Sequence, residues 1–266
     1  MAQGFTHHNF VKALIQFQSP VAQPTNLSAS GTARALGTSV VSGAANTKGS
    51  YATLITPTQV TTGLYVSVSE IAGTTLVRGS FMDIAWGASD TIVIPDLNTS
   101  AAGTLNTTAT GKHFFFAGLS IPANEAIKAR HQCSTATITA RVTVFAVHNA
   151  VWNIPTSTYI TYGANLTDSS GVAVTPGADS FGTAINIGTT TRNHYAHIVG
   201  RDLDVDASGG VTNGTLGELL VGPDLANLVS MGFFRVSESS NEELSHSADT
   251  IYYATTSGDL LWVRLA

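Results

Sequence analysis

The sequence predicts an all-β protein: two tandem antiparallel β-sandwich, jelly-roll-like domains behind an extended N-terminal arm. Three observations carry this prediction. Apolar and polar residues alternate with period two along most of the chain, the periodicity of a half-buried strand. Clusters of Gly, Ser, Asn and Asp divide these runs at short intervals, as in sandwiches and barrels. The helical period is weak throughout, and only "NFVKALIQF" near the start would fit a short helix or, equally well, an edge strand.

The strand-like runs follow in order. In "GLYVSVSEI", Leu64, Val66 and Val68 share one face and Tyr65, Ser67 and Ser69 the other. In "ATITARVTVFAVH", Ala136, Ile138, Ala140, Val142, Val144 and Ala146 oppose Thr137, Thr139, Arg141, Thr143 and Phe145. "FMDIAWGASDTIVIPDL", "KHFFFAGL", "NHYAHIVGRDLDVDA" and "TIYYATTSGDLLWVRLA" read the same way.

The chain also reads as one module written twice. "GTSVVSGAANTKGSYATLI" (37–55) is answered by "GVAVTPGADSFGTAINI" (171–187): Gly37 and Gly43 match Gly171 and Gly177, and Gly49 matches Gly182 after a one-residue gap. Ile94–Leu97 is matched to Gly222–Leu225, His113–Leu119 to Gly232–Glu238, Asn124-Glu125 to Asn241-Glu242, and "NLS" at 26–28 to "NLT" at 165–167. On this matching the offset shrinks along the chain, through an extra loop at Asn98–Gly111 in the first copy. The expected organisation is an arm (1–28), a first sandwich (29–150), a linker (151–170) and a second sandwich (171–266). Pro20 and Pro24 restrict the arm to extended conformations. Such arms commonly reach a neighbouring subunit.

Composition narrows the function classes. Of 266 residues, 43% are hydrophobic, enough for real cores, and only 11% are charged, against roughly 25% in an average soluble domain. Residues 1–153 carry a net +3 and residues 154–266 a net −8. No basic run suggests nucleic acid, and the acidic half would repel phosphate. The start has no apolar core or small-residue cleavage site of a signal peptide, so synthesis in a cytoplasm is expected. No stretch approaches the ~18 apolar residues of a membrane span. The single cysteine, Cys133, excludes an internal disulfide and alternates with Ile127, Ala129 and His131, as a buried small hydrophobe would.

A search for chemistry nominates no catalytic residue and no cofactor. Nucleophile-elbow, P-loop, His-Glu-x-x-His and paired-cysteine patterns are absent from the sequence. Asp83, Asp90, Asp96 and Glu125 read as turn or strand-edge residues. Metal ligands are expected to be none. The nearest candidates, Asp202, Asp204 and Asp206, begin like a calcium loop but have Ala207 at its sixth position and Asn213 at its twelfth. Alternation with Leu203 and Val205 gives the plainer reading, a strand with an acidic solvent face. His194 and His197 are out of phase on a strand, and His7-His8 reads as an exposed polar start. Tyr51, Trp86 and Phe114–Phe116 could form a sugar-stacking platform but are expected in the core, and Trp262 at a sheet margin.

"GTSVVSGAANTKGSYATLI", "TIVIPDL", "HFFFAGLSIPANEAIKARHQ" and "ITARVTVFAV" together resemble a β-sandwich module of tailed-bacteriophage virion proteins, of the minor tail or decoration type. The resemblance covers residues 37–148, and 171–266 through the internal repeat. In the family pattern an aromatic follows "KGS", as Tyr51 does here, and a Gly follows "IPA", where this chain has Asn124-Glu125. The resemblance implies a non-enzymatic virion component, assembled as a symmetric homo-oligomer with other virion proteins as partners and the particle as its location. The other reading is a receptor-binding module that grips host-surface glycan through loops such as 98–111 or 163–171.

Overall fold

The computed structural model describes residues 25–26, 37–72, 79–99, 112–152, 158–177, 180–194, 197–200, 215–236 and 248–266. All regular structure among them is β, and it falls into two compact units that divide between Ser170 and Gly171. The N-terminal arm, apart from Thr25 and Asn26, lies outside the described residues. So do residues 100–111 of the extra loop.

The first unit comprises β1 (Thr25–Asn26), β2 (Thr38–Val41), β3 (Ala52–Ile55), β4 (Thr61–Ala72), β5 (Ser80–Trp86), β6 (Thr91–Asn98), β7 (Lys112–Ile121), β8 (Ile127–Cys133) and β9 (Thr139–His148). The alternation predicted for "ATITARVTVFAVH" is realised on β9, where Ala140, Val142, Val144 and Ala146 are buried to 0% exposure and the intervening residues are half-buried. Every pairing between these described strands is antiparallel, and the pairs nest: β5 with β6, β4 with β7, β3 with β8 and β2 with β9. This is one long hairpin ribbon rolled upon itself. Rolling pairs β4 with β9 and β5 with β8, giving sheet orders β2-β9-β4-β7 and β3-β8-β5-β6. That is a jelly roll, two sheets face to face. β1 adds to β9 beside β2.

The core lies between the sheets. Leu64, Val66, Val142, Val144 and Phe116 from one face Met82, Ile84, Ile127 and Ala129 from the other, all at 2% exposure or less. Cys133 is buried at the end of β8, as its alternation predicted.

Residues 158–170, expected as part of a linker, are packed onto this unit. Tyr159 donates its hydroxyl to the Ala117 carbonyl on β7, and its ring meets Phe116 edge-on at 4.9 Å. Thr161 Oγ1 donates to the Pro95 carbonyl on β6. The segment therefore ties together the two strands that end the sheets, a device that blunts exposed edges. It continues into a small hairpin, β10 (Ala164–Asn165) with β11 (Ser170–Gly171). There Gln132 Nε2 donates to the Leu166 carbonyl and to Ser169 Oγ, so the hairpin covers the outward face of β8.

The second unit has β12 (Ile185–Thr189), β13 (His197–Gly200), β14 (Thr215–Val221), β15 (Val229–Val236), β16 (Ala248–Ile251) and β17 (Leu260–Leu265). Its sheet order β12-β17-β14-β15 repeats β3-β8-β5-β6, and its pair β13-β16 repeats β4-β7. The register repeats as well. His197 opposite Ile251 reproduces Gly63 opposite Ala117, and Leu219 opposite Val263 reproduces Ile84 opposite Ala129. The β-bulge between Thr53 and Ile55 recurs between Asn186 and Gly188. The turn bond from Gly87 N to the Ala126 carbonyl recurs as Gly222 N to the Leu260 carbonyl.

This correspondence corrects the later half of the sequence matching. The offset between the units stays nearly constant rather than shrinking. Gly222–Leu225 is the β14–β15 turn and answers Gly87–Asp90, whereas Ile94–Leu97 lies on β6. Gly232–Val236 lies on β15, the counterpart of β6, whereas His113–Leu119 lies on β7. Asn124-Glu125 is answered by Gly258-Asp259: Asn124 and Gly258 both have positive φ (64° and 99°) and donate to the carbonyls of Pro57 and Thr190. Core strands everywhere favour aromatic runs, so such runs matched without marking equivalent positions. Asn26 on β1 and Asn165 on β10 occupy unrelated places.

The glycine matches hold in detail. A Cβ on Gly49 would stand 2.0 Å from the Val41 carbonyl oxygen, and one on Gly182 would stand 2.5 Å from that of Thr175. Val41 and Thr175 each precede the matched Gly43 and Gly177 by two residues. Both loops close through direct backbone approach, and neither admits a side chain. Gly49→Ala is expected to destabilise the first unit by about 1–3 kcal/mol through overpacking. Thermal denaturation checks this, and an unchanged melting temperature would contradict the close approach.

Candidate functional site

Register alone places the most concentrated chemistry of the described residues. β5 and β8 pair with Asp83 opposite Arg130 and with Met82 and Ile84 opposite His131 and Ala129. Alternation sends Met82, Ile84, His131 and Ala129 into the sandwich, and Asp83 and Arg130 to its outward face. The result is one polar cluster on each side of the same sheet.

The outward cluster centres on Asp83, which is fully buried (0% exposed) in mid-strand, not at the strand edge expected for it. Lys48 Nζ reaches both of its carboxylate oxygens, at 2.9 and 2.8 Å, and Asp96 Oδ1 at 2.5 Å. Arg130 Nε donates to Asp83 Oδ2 at 2.7 Å. The pairing shift between β5 and β6 opposite Asp83 puts Asp96 at φ 46°, and its amide donates to Asp83 Oδ1 at 2.8 Å. Burial raises the Asp83 pKa, but the Asp96 amide and the Lys48 and Arg130 cations together outweigh it and hold the carboxyl below its ordinary range. Arg130 also stacks over the Tyr51 ring at 4.7 Å. At the end of the strands, Lys128 pairs with Asp90 at 2.7 Å.

This cluster is a strut. Lys48 belongs to the Gly43–Gly49 loop, and its ion pairs fix that loop to β5 and β6. The second unit builds the strut with other chemistry at the same register. Arg264 Nε donates to the buried Glu218 at 2.6 Å, repeating Arg130 with Asp83. Phe181, beside Gly182 where Lys48 stands beside Gly49, lies under the Arg264 guanidinium at 4.6 Å and stacks on Phe233 at 6.3 Å. Phe233 sits opposite Glu218. An ionic link from loop to sheet is thus an aromatic one in the second copy. The sequence carries no local signal for the partners of Lys48, which come from strands 35 and 48 residues away.

The inward cluster is a hydrogen-bonded chain in the core. Thr99 Oγ1 and Ser80 Oγ are 2.7 Å apart, Ser80 Oγ and His131 Nε2 are 2.5 Å apart, and His131 Nδ1 faces the Ile138 carbonyl at 3.4 Å. A carbonyl only accepts, so Nδ1 carries the proton and Nε2 accepts from Ser80. Ser80, Thr99 and His131 are all 0% exposed. Burial pushes the His131 pKa down to about 4, so the neutral ring is the folded form. A serine hydroxyl on a histidine is the start of a nucleophilic pair, but here a backbone carbonyl takes the orienting carboxylate's place and the core shuts both groups from water.

The other nominated residues divide. Asp202, Asp204, Asp206 and His7-His8 lie outside the described residues. Among those described, no group of three or more His, Cys, Asp or Glu could hold a metal. Phe114 and Phe116 are core residues and Phe115 packs against Trp152 at 5.7 Å. Trp86, registered opposite Ile127, shares the inward face of β5 with Met82 and Ile84. His194 and His197 do meet, with ring centroids 5.8 Å apart, against the expectation from strand phase. His194 sits in an isolated bridge to Thr255, outside β13, so strand phase does not relate the two rings. Burial and the neighbouring His194 push the His197 pKa down to about 4. Trp262 lies on a strand with neighbours on both sides, not at a margin, and donates to the Gly222 carbonyl at 2.9 Å.

No protein-family profile matches the chain, and no curated protein or solved structure matches it.

Proposed function

We propose that this chain is a non-enzymatic structural protein of a tailed-bacteriophage virion, a tail, collar or baseplate accessory or a capsid decoration protein, assembled as a symmetric homo-oligomer. The observation that carries the assembly part is an apolar sheet face sealed in one unit and bare in the other. In the first unit Phe81, on the outward side of β5, is 3% exposed, and the 158–170 segment covers its neighbour Gln132. Its counterpart in the second unit, Leu216, is 41% exposed, and Phe233 on the adjoining strand is 57% exposed. Large apolar groups left bare on one face mark a surface that packs against a partner.

Two further points support the reading. The charged groups of the outward clusters are engaged with one another, which suits a rigid module and leaves no free acid–base pair there. The resemblance of residues 37–148 to virion modules supplies the particle. In this scheme the near-neutral first unit docks on a symmetric platform, the arm reaches a neighbouring copy, and the acidic second unit projects outward.

Purified protein added to host cells before infection tests this against glycan recognition. A structural component neither labels the cells nor lowers the infection yield. Cell binding that blocks infection and is relieved by soluble host glycan would replace the proposal with the recognition reading.

A further inference from the structure

The outward cluster of the first unit holds a primary amine against two carboxylates, one of them closed to solvent. Lys48 comes from the Gly43–Gly49 loop, Asp83 from the middle of β5 and Asp96 from β6. Lys48 Nζ lies 2.9 and 2.8 Å from the two Asp83 carboxylate oxygens and 2.5 Å from Asp96 Oδ1. The Asp83 side chain is 0% exposed, and the Lys48 and Asp96 side chains are 21% and 19% exposed. The amine is also held from its backbone side. Gly49, the next residue, donates its amide to the His131 carbonyl on β8 at 2.9 Å and sits too close to Val41 for any side chain. Loop and sheet thus fix amine and carboxyl in contact from both ends.

We infer that Lys48 and Asp83 condense to an isopeptide bond, a covalent staple from the loop to β5, with Asp96 carrying the proton. Reactants held in contact in a productive orientation react as if at about 10⁵–10⁸ M. The Asp96 amide on Asp83 Oδ1 at 2.8 Å and Arg130 Nε on Oδ2 at 2.7 Å are placed to stabilise negative charge on those oxygens as the amine adds. The cluster holds two cations and two anions. One proton passing from Lys48 to Asp83 gives a neutral amine and a neutral acid, and the charges of Asp96 and Arg130 still balance. Burial favours the uncharged forms, so the ion pair is the resting state and the neutral pair the reactive one. The Nζ lone pair then attacks Asp83 Cγ, forming the C–N bond and moving the C=O electron pair onto Oδ1. Asp96 Oδ1 takes a proton from the nitrogen and returns it to the Oδ2 hydroxyl. The Cγ–Oδ2 bond breaks, water leaves, and the Oδ1 carbonyl re-forms as that of an amide. Nothing is oxidised or reduced, and Asp96 and Arg130 end as they began. The second unit keeps the Arg264–Glu218 pair at the same register but has Phe181 in the place of the amine, so the site has no nucleophile there. The inference does not rest on the particle reading, because it concerns the folded chain alone.

Mass spectrometry of the full-length chain tests this. Protein kept folded at neutral pH and then denatured should weigh one water less than its sequence. A proteolytic digest should contain the Lys48 and Asp83 peptides joined as one species. Lys48→Arg keeps the positive charge and its ion pairs but lacks the attacking amine, so it should retain the full mass. Asp96→Asn keeps the backbone amide on Asp83 and removes the proton carrier, and should slow the loss of water by on the order of a hundredfold or more. The full sequence mass in folded, incubated protein overturns the inference and leaves the cluster an ionic strut alone. A lost water that maps to any other pair, a Lys48–Asp96 bond included, overturns it too, as does a loss that persists in Lys48→Arg.

Discussion

Asp83→Ala is expected to be the most damaging single substitution outside the apolar core. It removes the one group that Lys48, Arg130 and the Asp96 amide all address, at a site that is 0% exposed. Breaking a buried ion pair from one side costs about 3–5 kcal/mol, because the other charge stays desolvated and unpaired. Here the Lys48 and Arg130 side chains keep 21% and 27% of their exposure, which puts the loss near the lower end, at about 3 kcal/mol. For a unit of this size that lowers the melting temperature by roughly 10 °C. Asp83→Asn, which keeps the shape and one acceptor, should lose less. Removing Lys48 as well should recover part of the loss, since one stranded charge goes with it. Calorimetry of the single and double variants checks this; additive losses would mean that the strut is not a unit.

The second large effect is on acid stability. His131 titrates at about 4 in the folded chain because the core disfavours the imidazolium, and at about 6.5 when unfolded. Its folded pKa is depressed, so the unfolded chain binds the extra proton between those values, and stability falls as pH falls. The contribution is fully present above about pH 6.5 and lost by about pH 4. The shift corresponds to about 3 kcal/mol at 1.36 kcal/mol per unit. Protonation would also put an N–H on Nε2, so the Ser80 hydroxyl would have to turn from donor to acceptor there and donate to Thr99 Oγ1 instead. His148 is shifted in the same direction by burial, and Asp83 extends the loss below the ordinary carboxylate range. His131→Gln should therefore be less stable at pH 7 yet have a visibly flatter stability profile between pH 7 and 4. An equal slope in the variant would mean that His131 is not the buried titrating group.

What could be read from the sequence and what could not divide along physical lines. Alternation is local, so β4, β5, β8 and β9 were readable from side-chain pattern, as were the inward placement of Cys133 and the shared face of Met82, Ile84 and Trp86. The glycine loops were readable because backbone contact excludes every other residue at Gly49 and Gly182. The later repeat anchors failed because apolar and aromatic runs recur on many strands, and only the pairing register tells β6 from β7. The strut was not readable. Asp83 looks like any acidic residue in a β run until β5, β6 and β8 are aligned, and its counterpart keeps only the Arg264–Glu218 pair while Lys48 becomes Phe181. The 158–170 segment reads as linker because its Ser, Thr and Gly content is that of a loop, and its hold on the first unit comes through backbone carbonyls that composition does not reveal.

The central proposal, that the chain is an assembly module built from a repeated sandwich, is tested most directly by electron cryo-microscopy of the phage particle to which the proposed function assigns it. The prediction is a symmetric ring or lattice of two-unit density, with the first unit against its support. Particles that lack the chain, with the protein found instead as a free monomer, would contradict it.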